Sequence, residues 1–135
     1  MPKPKQKPSK QLVGNAGLFY VCYELSKRGW NCLPTTRNAK GVDIVIFSSK
    51  GDKKYTIQVK SLSKQDAVAF GSNLEIMADF VIVCTEVFSE KPNLYILTPQ
   101  EVKKGIPEKK NNSYWLEPKS YSDYKDRWEK IGDGY

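Results

Sequence analysis

Three polar side chains lie at the ends of two apolar runs in the first half of the chain. Asp43 stands near the start of the run VDIVIF, and Gln58 and Lys60 stand near the end of the run YTIQVKS. Alternate residues of a strand face the same side, so Gln58 and Lys60 share a face. If the two runs pair as an antiparallel hairpin through SSKGDKK, the start of the first strand meets the end of the second. The pattern therefore predicts that the three side chains converge at one end of a sheet.

These residue types suit the hydrolysis of a phosphodiester. Magnesium prefers oxygen ligands and keeps several waters, so Asp43, the amide oxygen of Gln58 and the backbone carbonyl of Val59 could form a partial shell. Lys60 beside the ion could orient or deprotonate a water molecule and stabilise charge that develops on a phosphate. A structural interpretation also holds, because aspartate is common at strand starts and a lysine at a strand end protects the edge from pairing. Taken alone, the D…QxK pattern is more often structural.

The composition limits the other kinds of chemistry. The 135 residues contain no histidine, which excludes histidine general bases, Ser-His-Asp and Cys-His pairs, and histidine metal ligands. The cysteines Cys22, Cys32 and Cys84 are widely spaced in apolar sequence and are expected to be buried, reduced thiols. Carboxylates, amides, lysines, hydroxyls and a hard metal ion remain as the means of catalysis.

The charge is uneven along the chain. The net charge is +7, from 22 basic and 15 acidic residues, and the first ten residues, MPKPKQKPSK, hold four lysines and three prolines. This composition predicts a disordered basic tail over residues 1–11 and a single domain over residues 12–135. No apolar run approaches the roughly 20 residues that cross a bilayer, so the sequence predicts a soluble, cytoplasmic protein without a membrane partner. The positive charge favours polyanionic partners.

Hydrophobic periodicity predicts the elements that must hold these side chains. Residues 14–30 carry apolar side chains at helical spacing, and residues 30–34 predict an edge strand. The runs VDIVIF, YTIQVKS, DFVIVCT and NLYILT predict further strands, with a helix or an irregular crossover in SKQDAVAFGSNLEIM. TPQEVKKG predicts a short helix, and SYSDYKDRWEKIGDG predicts a C-terminal helix. The order predicts an α/β domain with a mixed central β-sheet flanked by helices.

The residues around the D…QxK pattern resemble a known family. From GNAG and ELSKRGW through RNAKGVDI to IQVKS, and on through NLYILTPQEV to YWLEPKSYSDYKDRWEKIG, the chain resembles the PD-(D/E)xK (restriction-endonuclease-like) nuclease superfamily and its QxK variants. The resemblance implies a restriction-endonuclease-like αβββαβ core, a divalent ion such as Mg²⁺ or Mn²⁺, and DNA as the substrate. It also implies that Asp43 binds the metal, that Gln58 replaces the second acid and that Lys60 is the catalytic lysine.

One position departs from the family pattern. Members usually carry a glutamate in the first helix just after GNAG, where this chain has Leu18. Glu24 lies about 240° round the helix axis from Leu18, so it does not replace that acid. Asn15, one turn before Leu18, is better placed but neutral. A carboxylate about 4 Å from a unit charge is worth roughly 4 kcal/mol at an effective dielectric of 20, before desolvation. We therefore expect weak metal binding without substrate.

Charged residues on the neighbouring segments extend the predicted site. Five cations border it in sequence and could neutralise phosphates, although ordinary loop charges would look the same: Arg37, Lys40, Lys53, Lys54 and Lys64. Glu75 and Asp79 of the crossover could add a carboxylate, and Asp79 is also suited simply to begin a strand.

Functions from different classes fit these observations. The first is a metal-dependent DNA endonuclease in which Leu18 weakens the metal site. The alternative is a catalytically inactive nuclease fold that binds nucleic acid or a protein partner, which Leu18 and the basic tail favour. A partner-bound subunit or inhibitor of a defence system is a third interpretation, and it makes no distinctive demand on the sequence. A homodimer is expected by analogy, because one small site cuts one strand at a time.

Overall fold

In the computed structural model, which describes residues 6–36 and 40–135, helix α1 spans Lys10–Lys27. The Ser9 side chain caps α1 by accepting a hydrogen bond from the Leu12 N–H at 3.2 Å. α1 therefore begins inside the stretch predicted to be a tail. The reason is local, because serine supplies the cap and Lys10 and Gln11 are good helix formers.

In the described part of the chain, seven strands follow α1 and form two sheets. They are β1 (Asn31–Pro34), β2 (Ile44–Phe47), β3 (Lys54–Ser61), β4 (Val68–Gly71), β5 (Phe80–Thr85), β6 (Asn93–Leu97) and β7 (Tyr114–Leu116). The larger sheet has the order β1-β2-β3-β5-β6, and the smaller sheet pairs β4 with β7. β3 and β5 run parallel, whereas the other neighbours in the larger sheet run antiparallel. The predicted α/β fold with a mixed central sheet is therefore confirmed.

The connection between β3 and β5 differs from the αβββαβ order that the resemblance implied. Residues 62–79 form strand β4 and irregular backbone, not a helix. The residues Val68 and Phe70 favour a strand, and β4 pairs with β7 in a register that joins Val68 to Leu116, both buried. The crossover is therefore irregular, the second of the two predicted forms, and it carries a strand that the sequence did not reveal.

The remaining helices are short. Helix α2 (Pro99–Lys104) is the short helix that TPQEVKKG predicts, and it begins at a capping box formed by Thr98 and Glu101. The predicted C-terminal helix is instead helix α3 (Pro118–Tyr121) followed by two 3-10 turns, and Asp126 between those turns has a φ of 55°, which an α-helix does not accommodate. In residues 6–36 and 40–135, no helix has the length and apolar composition of a membrane span.

Strand alternation divides the core between the two faces of the larger sheet. One buried cluster joins Val21 and Leu25 of α1 to Ile57 of β3, and Val59 packs against it. The second cluster lies on the other face and includes Val102 of α2 and Tyr121 of α3. Full burial of one such aliphatic side chain contributes about 1.5–3 kcal/mol. The sheet is thus held from both sides, and β3, at its centre, presents alternate residues to each side.

Candidate functional site

The hairpin of β2 and β3 brings Asp43 onto the backbone of β3. Its register pairs Ile44, the first residue of β2, with Ile57 in the middle of β3. The Asp43 N–H donates to the Ile57 carbonyl at 2.8 Å, and the Asp43 Oδ2 accepts the Val59 N–H at 2.7 Å. The carboxylate is therefore fixed on β3 at the residue between Gln58 and Lys60, and one of its two oxygens is held by that backbone.

Lys60 lies half-buried on β3. Its Nζ is 4.9 Å from the centre of the Phe70 ring, a cation–π distance. Burial lowers the pKa of Lys60 because it disfavours the charged form, and the Asp43 carboxylate opposes that shift. A lysine with a lowered pKa gives up its proton more readily than an exposed lysine does. In its charged form the same amine can stabilise a phosphate.

Two depressions adjoin this end of the sheet. The first, the Asp43 groove, has a volume of about 250 Å³ and is lined by Lys10, Gly14, Asn15, Leu18, Asp43, Val59 and Ser61. The second, the Gln58 groove, has a volume of about 280 Å³ and is lined by Lys40, Gly41, Gln58, Phe70, Asn73, Glu75 and Met77. Consecutive residues of a strand face opposite sides, which is why Val59 lines one groove and Gln58 the other. Gln58 and Val59 are therefore neighbours along β3 but open into different grooves, and Asp43 lies in the groove of Val59.

A close approach of α1 to β3 fixes the helix residues of the Asp43 groove. A Cβ atom added at Gly17 would lie 2.7 Å from the Ser61 Cβ and closer still to its Oγ, so the approach requires glycine. It brings Asn15 and Leu18 to the groove that Asp43 lines. Leu18 thus faces Asp43 from the position where the family pattern has a glutamate.

Glu24 lies away from both grooves. Its Oε2 is 2.9 Å from the Lys27 Nζ and 3.6 Å from the Arg28 Nη1, so its carboxylate is paired at the C-terminal end of α1. Glu24, a neighbour of the predicted site in sequence, therefore lines neither groove. The helical angle that separates it from Leu18 is the reason, and the first-helix acid has no carboxylate replacement on this helix.

The predicted phosphate-binding cations divide by position. Arg37 lies outside the described residues. Lys40 lines the Gln58 groove, and Lys64 lies in the exposed segment that follows β3. Both are at the end of the sheet that carries Asp43.

Lys53 and Lys54 lie at the other end of the hairpin. They are exposed where the turn enters β3, and six residues at 3.3 Å each put Lys54 about 20 Å from Lys60 along the strand. The prediction that these two lysines flank the site is wrong, because closeness in sequence to a strand does not say which end of the strand is near the site.

Lys10 is a site residue that the sequence analysis missed. It lines the Asp43 groove, and with Lys7 it also lines a further depression of about 310 Å³ that extends past Ser61. Both lysines fall within the stretch predicted to be a disordered tail, so neither was considered as a site residue. The capping preference of Ser9 is the signal that could have placed Lys10 at the start of α1.

The two acids of the crossover have different surroundings. Glu75 lines the Gln58 groove and adds a carboxylate there. Asp79 instead accepts hydrogen bonds from the Thr56 N–H at 2.8 Å and the Thr56 hydroxyl at 3.2 Å. Asp79 therefore ties the start of β5 to β3, in the structural role that its position suggests.

The donors at this end of the sheet are of the chemical types that a hard metal ion accepts, although Gln58 opens into a different groove from Asp43. Asp43 offers a carboxylate, Gln58 an amide oxygen and Val59 a backbone carbonyl, which are the oxygen ligands that magnesium accepts. Within residues 6–36 and 40–135, no three Asp, Glu, His or Cys side chains are grouped closely enough to hold a metal. An ion bound here would need water and substrate oxygens to complete its shell, so the donor set fits a weakly held Mg²⁺ or Mn²⁺.

Comparisons with known proteins bear on the fold. No protein-family model matches the sequence, and no curated protein matches it. The structure matches that of a bacterial homing endonuclease, I-Ssp6803I, with a TM-score of 0.65 and 18% sequence identity over 93% of this chain and 92% of that chain. At this identity the likeness establishes the fold alone. The protein therefore shares the nuclease-like fold of that endonuclease structure.

Proposed function

We propose that the protein is a metal-dependent DNA endonuclease of the PD-(D/Q)xK type. The observation that carries the proposal is the hydrogen bond from the Val59 N–H to the Asp43 carboxylate, which fixes the acid between Gln58 and Lys60. The fold match to a homing endonuclease supports a DNA substrate. The net charge of +7 is consistent with a polyanion.

The proposal assigns the metal to three donors on adjacent segments. Asp43, the Gln58 amide oxygen and the Val59 carbonyl would hold Mg²⁺ or Mn²⁺, which would supply a Lewis acid and a bound water of lowered pKa. Leu18 contributes no charge to this shell. Metal binding therefore depends on DNA, whose phosphate oxygens supply the missing ligands.

The lysines act on the substrate and on the water. Lys60, beside Asp43 at this end of β3, orients the attacking water and stabilises the negative charge of the phosphate in the transition state, and burial, which lowers its pKa, favours proton exchange with that water. Lys10, in the groove with Asp43, neutralises the charge of the DNA backbone. Lys40 and Lys64 bind phosphates farther along the same end of the sheet.

A second candidate function is a nuclease fold without cleavage that binds nucleic acid. The observation that favours it is the Asp43 groove itself, which pairs one carboxylate with Lys10 and Leu18. The charges of Lys10 and Asp43 cancel, so the groove lining has no net negative charge with which to hold a cation in the absence of DNA. This function predicts salt-dependent DNA binding with no product.

Metal-dependent DNA cleavage tests the first function. The wild type, Lys60→Ala and Lys54→Ala are incubated with supercoiled and branched DNA in the presence of Mn²⁺ or Mg²⁺. Lys54→Ala is the matched control, because it removes an exposed lysine from the far end of the same strand. We expect nicking by the wild type and Lys54→Ala, and a loss of at least about a hundredfold for Lys60→Ala.

The outcomes separate the two functions. Equal nicking by all three proteins would point to a contaminating nuclease and reject the assignment of Lys60. Salt-dependent DNA binding with no nicking by the wild type under any metal would favour the second function. Binding that is weaker in a Lys10→Ala variant, but unchanged in Lys54→Ala, would then place the bound DNA at the Asp43 groove.

A further inference from the structure

Helix α1 exposes large apolar side chains on its outer face. Leu12, Phe19 and Tyr23 have 55%, 62% and 60% of their surfaces accessible to solvent. At 100° per residue, the three lie within about 40° of one another round the helix axis. The fully buried Val21 lies about 180° from Leu12 on the same basis, against the sheet. α1 is therefore apolar on two opposite faces, and the sheet covers one of them.

The three exposed residues and Ala16 have the spacing of a helix-packing seam. Ala16 is half-buried and also packs against the core. Leu12, Ala16, Phe19 and Tyr23 follow one another at intervals of four, three and four residues, the alternation found where two helices pack along their length. We call these four residues the α1 stripe. A helix packed on the core by one face has no need of this pattern on its other face.

The α1 stripe is large enough for the centre of an interface. An aromatic side chain has roughly 150–250 Å² to bury, so at these exposures the three large residues offer roughly 350 Å² of apolar surface. A standard interface buries about 800 Å² on each partner, with an apolar centre and a polar rim. The stripe supplies such a centre along a helix about 27 Å long, and the polar flanks of α1 supply the rim.

We propose that the α1 stripe is the contact between two copies of this chain, with their α1 helices packed antiparallel. Under a two-fold axis midway along the stripe, Leu12 meets Tyr23 of the second copy and Ala16 meets Phe19. Each level then pairs a smaller side chain with an aromatic one, as close packing requires. Parallel helices would oppose Phe19 to Phe19 and Ala16 to Ala16, which leaves one level crowded and the next empty.

The antiparallel arrangement also orients the two candidate sites, a step that rests on the proposed function. Asn15 and Leu18 lie about 60° and 120° to one side of the α1 stripe. A two-fold axis perpendicular to the paired helices keeps that flank of both helices on the same side of the dimer. Both Asp43 grooves therefore open toward the same side, where one DNA duplex reaches both.

Sedimentation without DNA tests the dimer independently of any nuclease activity. The wild type is compared with Phe19→Glu and with Phe88→Glu, which changes a residue of similar exposure, 56%, that lies outside α1. We expect the wild type and Phe88→Glu to dimerise as concentration rises toward about 100 µM, and Phe19→Glu to dimerise at least about tenfold more weakly. Thermal unfolding of each variant shows that it remains folded.

Two results of this experiment would overturn the dimer. One is a wild type that stays monomeric at the highest concentration. The α1 stripe would then be a binding surface for a helix of another protein. The other is equal dimerisation by Phe19→Glu and Phe88→Glu. Since neither measurement uses DNA or metal, failure of the dimer is distinct from failure of the proposed cleavage.

Cross-linking tests the antiparallel orientation. Oxidation of the double variant Leu12→Cys with Tyr23→Cys is expected to give a disulfide-linked dimer. Leu12→Cys alone is expected to give no more than the wild type, because the two copies of position 12 lie about 16 Å apart along the paired helices. An efficient cross-link through Leu12→Cys alone would show parallel helices and overturn the arrangement.

Discussion

Gly17 of α1 approaches Ser61 of β3 so closely that a methyl group at position 17 would lie 2.7 Å from the Ser61 Cβ. This contact sets how far α1 stands from the sheet. Because Leu18 is the next residue and Ser61 follows Lys60, the same contact sets the width of the groove that Asp43 lines. The stability of the protein and the shape of its candidate site are therefore linked at one glycine.

Replacing Gly17 with alanine is expected to destabilise the protein. Overpacking of a tight contact costs about 1–3 kcal/mol, which exceeds the gain of up to about 1 kcal/mol from the better helix propensity of alanine. Urea denaturation measures the difference. Gly14→Ala is the matched control on the same helix, since nothing lies within 4 Å of a Cβ at that position. Gly14→Ala is expected to be neutral or stabilising, and equal loss in both variants would contradict the close contact.

Replacing Asp43 with asparagine or with alanine is expected to separate its contribution to stability from its contribution to metal-dependent cleavage. Asp43→Asn keeps an oxygen that can accept the Val59 N–H, so its stability stays near that of the wild type while the metal-dependent cleavage proposed above falls at least about a hundredfold. Asp43→Ala leaves that N–H without its acceptor and loses about a further 1–3 kcal/mol. Urea denaturation and nicking of supercoiled DNA give the two readouts. Full activity in Asp43→Asn would remove Asp43 from the metal site.

A carboxylate at position 18 is expected to strengthen metal binding. Leu18 lines the groove with Asp43, so Leu18→Glu adds a second acid there and tightens Mn²⁺ binding at least about tenfold, which is about a third of the roughly 4 kcal/mol available per unit charge at about 4 Å. Calorimetric titration with Mn²⁺ measures the affinity without DNA. Gln100→Glu, an equal charge change on the exposed side of α2, is expected to have no effect. Equal affinity in both variants would mean that position 18 does not face the ion.

Stability is expected to depend on pH through Lys60. Its pKa is lowered in the folded protein, mainly by burial, so the unfolded chain holds this proton to higher pH than the folded chain does. The wild type therefore gains stability as pH rises from the lowered pKa to the ordinary lysine value. Lys60→Met lacks this proton, so it is expected to be more stable than the wild type at neutral pH, by a margin that shrinks in alkali.

Thermal unfolding across pH checks this margin. Lys54→Met is the matched control, because Lys54 is exposed at the start of the same strand. We expect its difference from the wild type to be small and independent of pH. A margin for Lys60→Met that grows in alkali would reverse the direction of the pKa shift.

The sequence predicted the pairing of β2 with β3 and the arrival of Asp43 at the second half of β3. The reason is that these features depend on local quantities. The period of two fixes which residues share a face, and the turn sequence fixes how two adjacent runs meet. The sequence did not show that Lys53 and Lys54 lie at the end of β3 away from Lys60. Residues close along the chain were assumed to be close in space.

Contacts between segments far apart in the chain determine the other features of the fold and of the candidate site. The crossover contains a strand where a helix was implied, because Val68 pairs with Leu116. No local pattern in residues 62–79 encodes a partner that far along the chain. The sequence by itself determined which residues of the hairpin of β2 and β3 the candidate site contains: Asp43, Gln58, Val59 and Lys60. Only the tertiary structure decided that Leu18 and Lys10 share the groove with Asp43, because the packing of α1 on β3 at Gly17 depends on shape complementarity between segments more than forty residues apart.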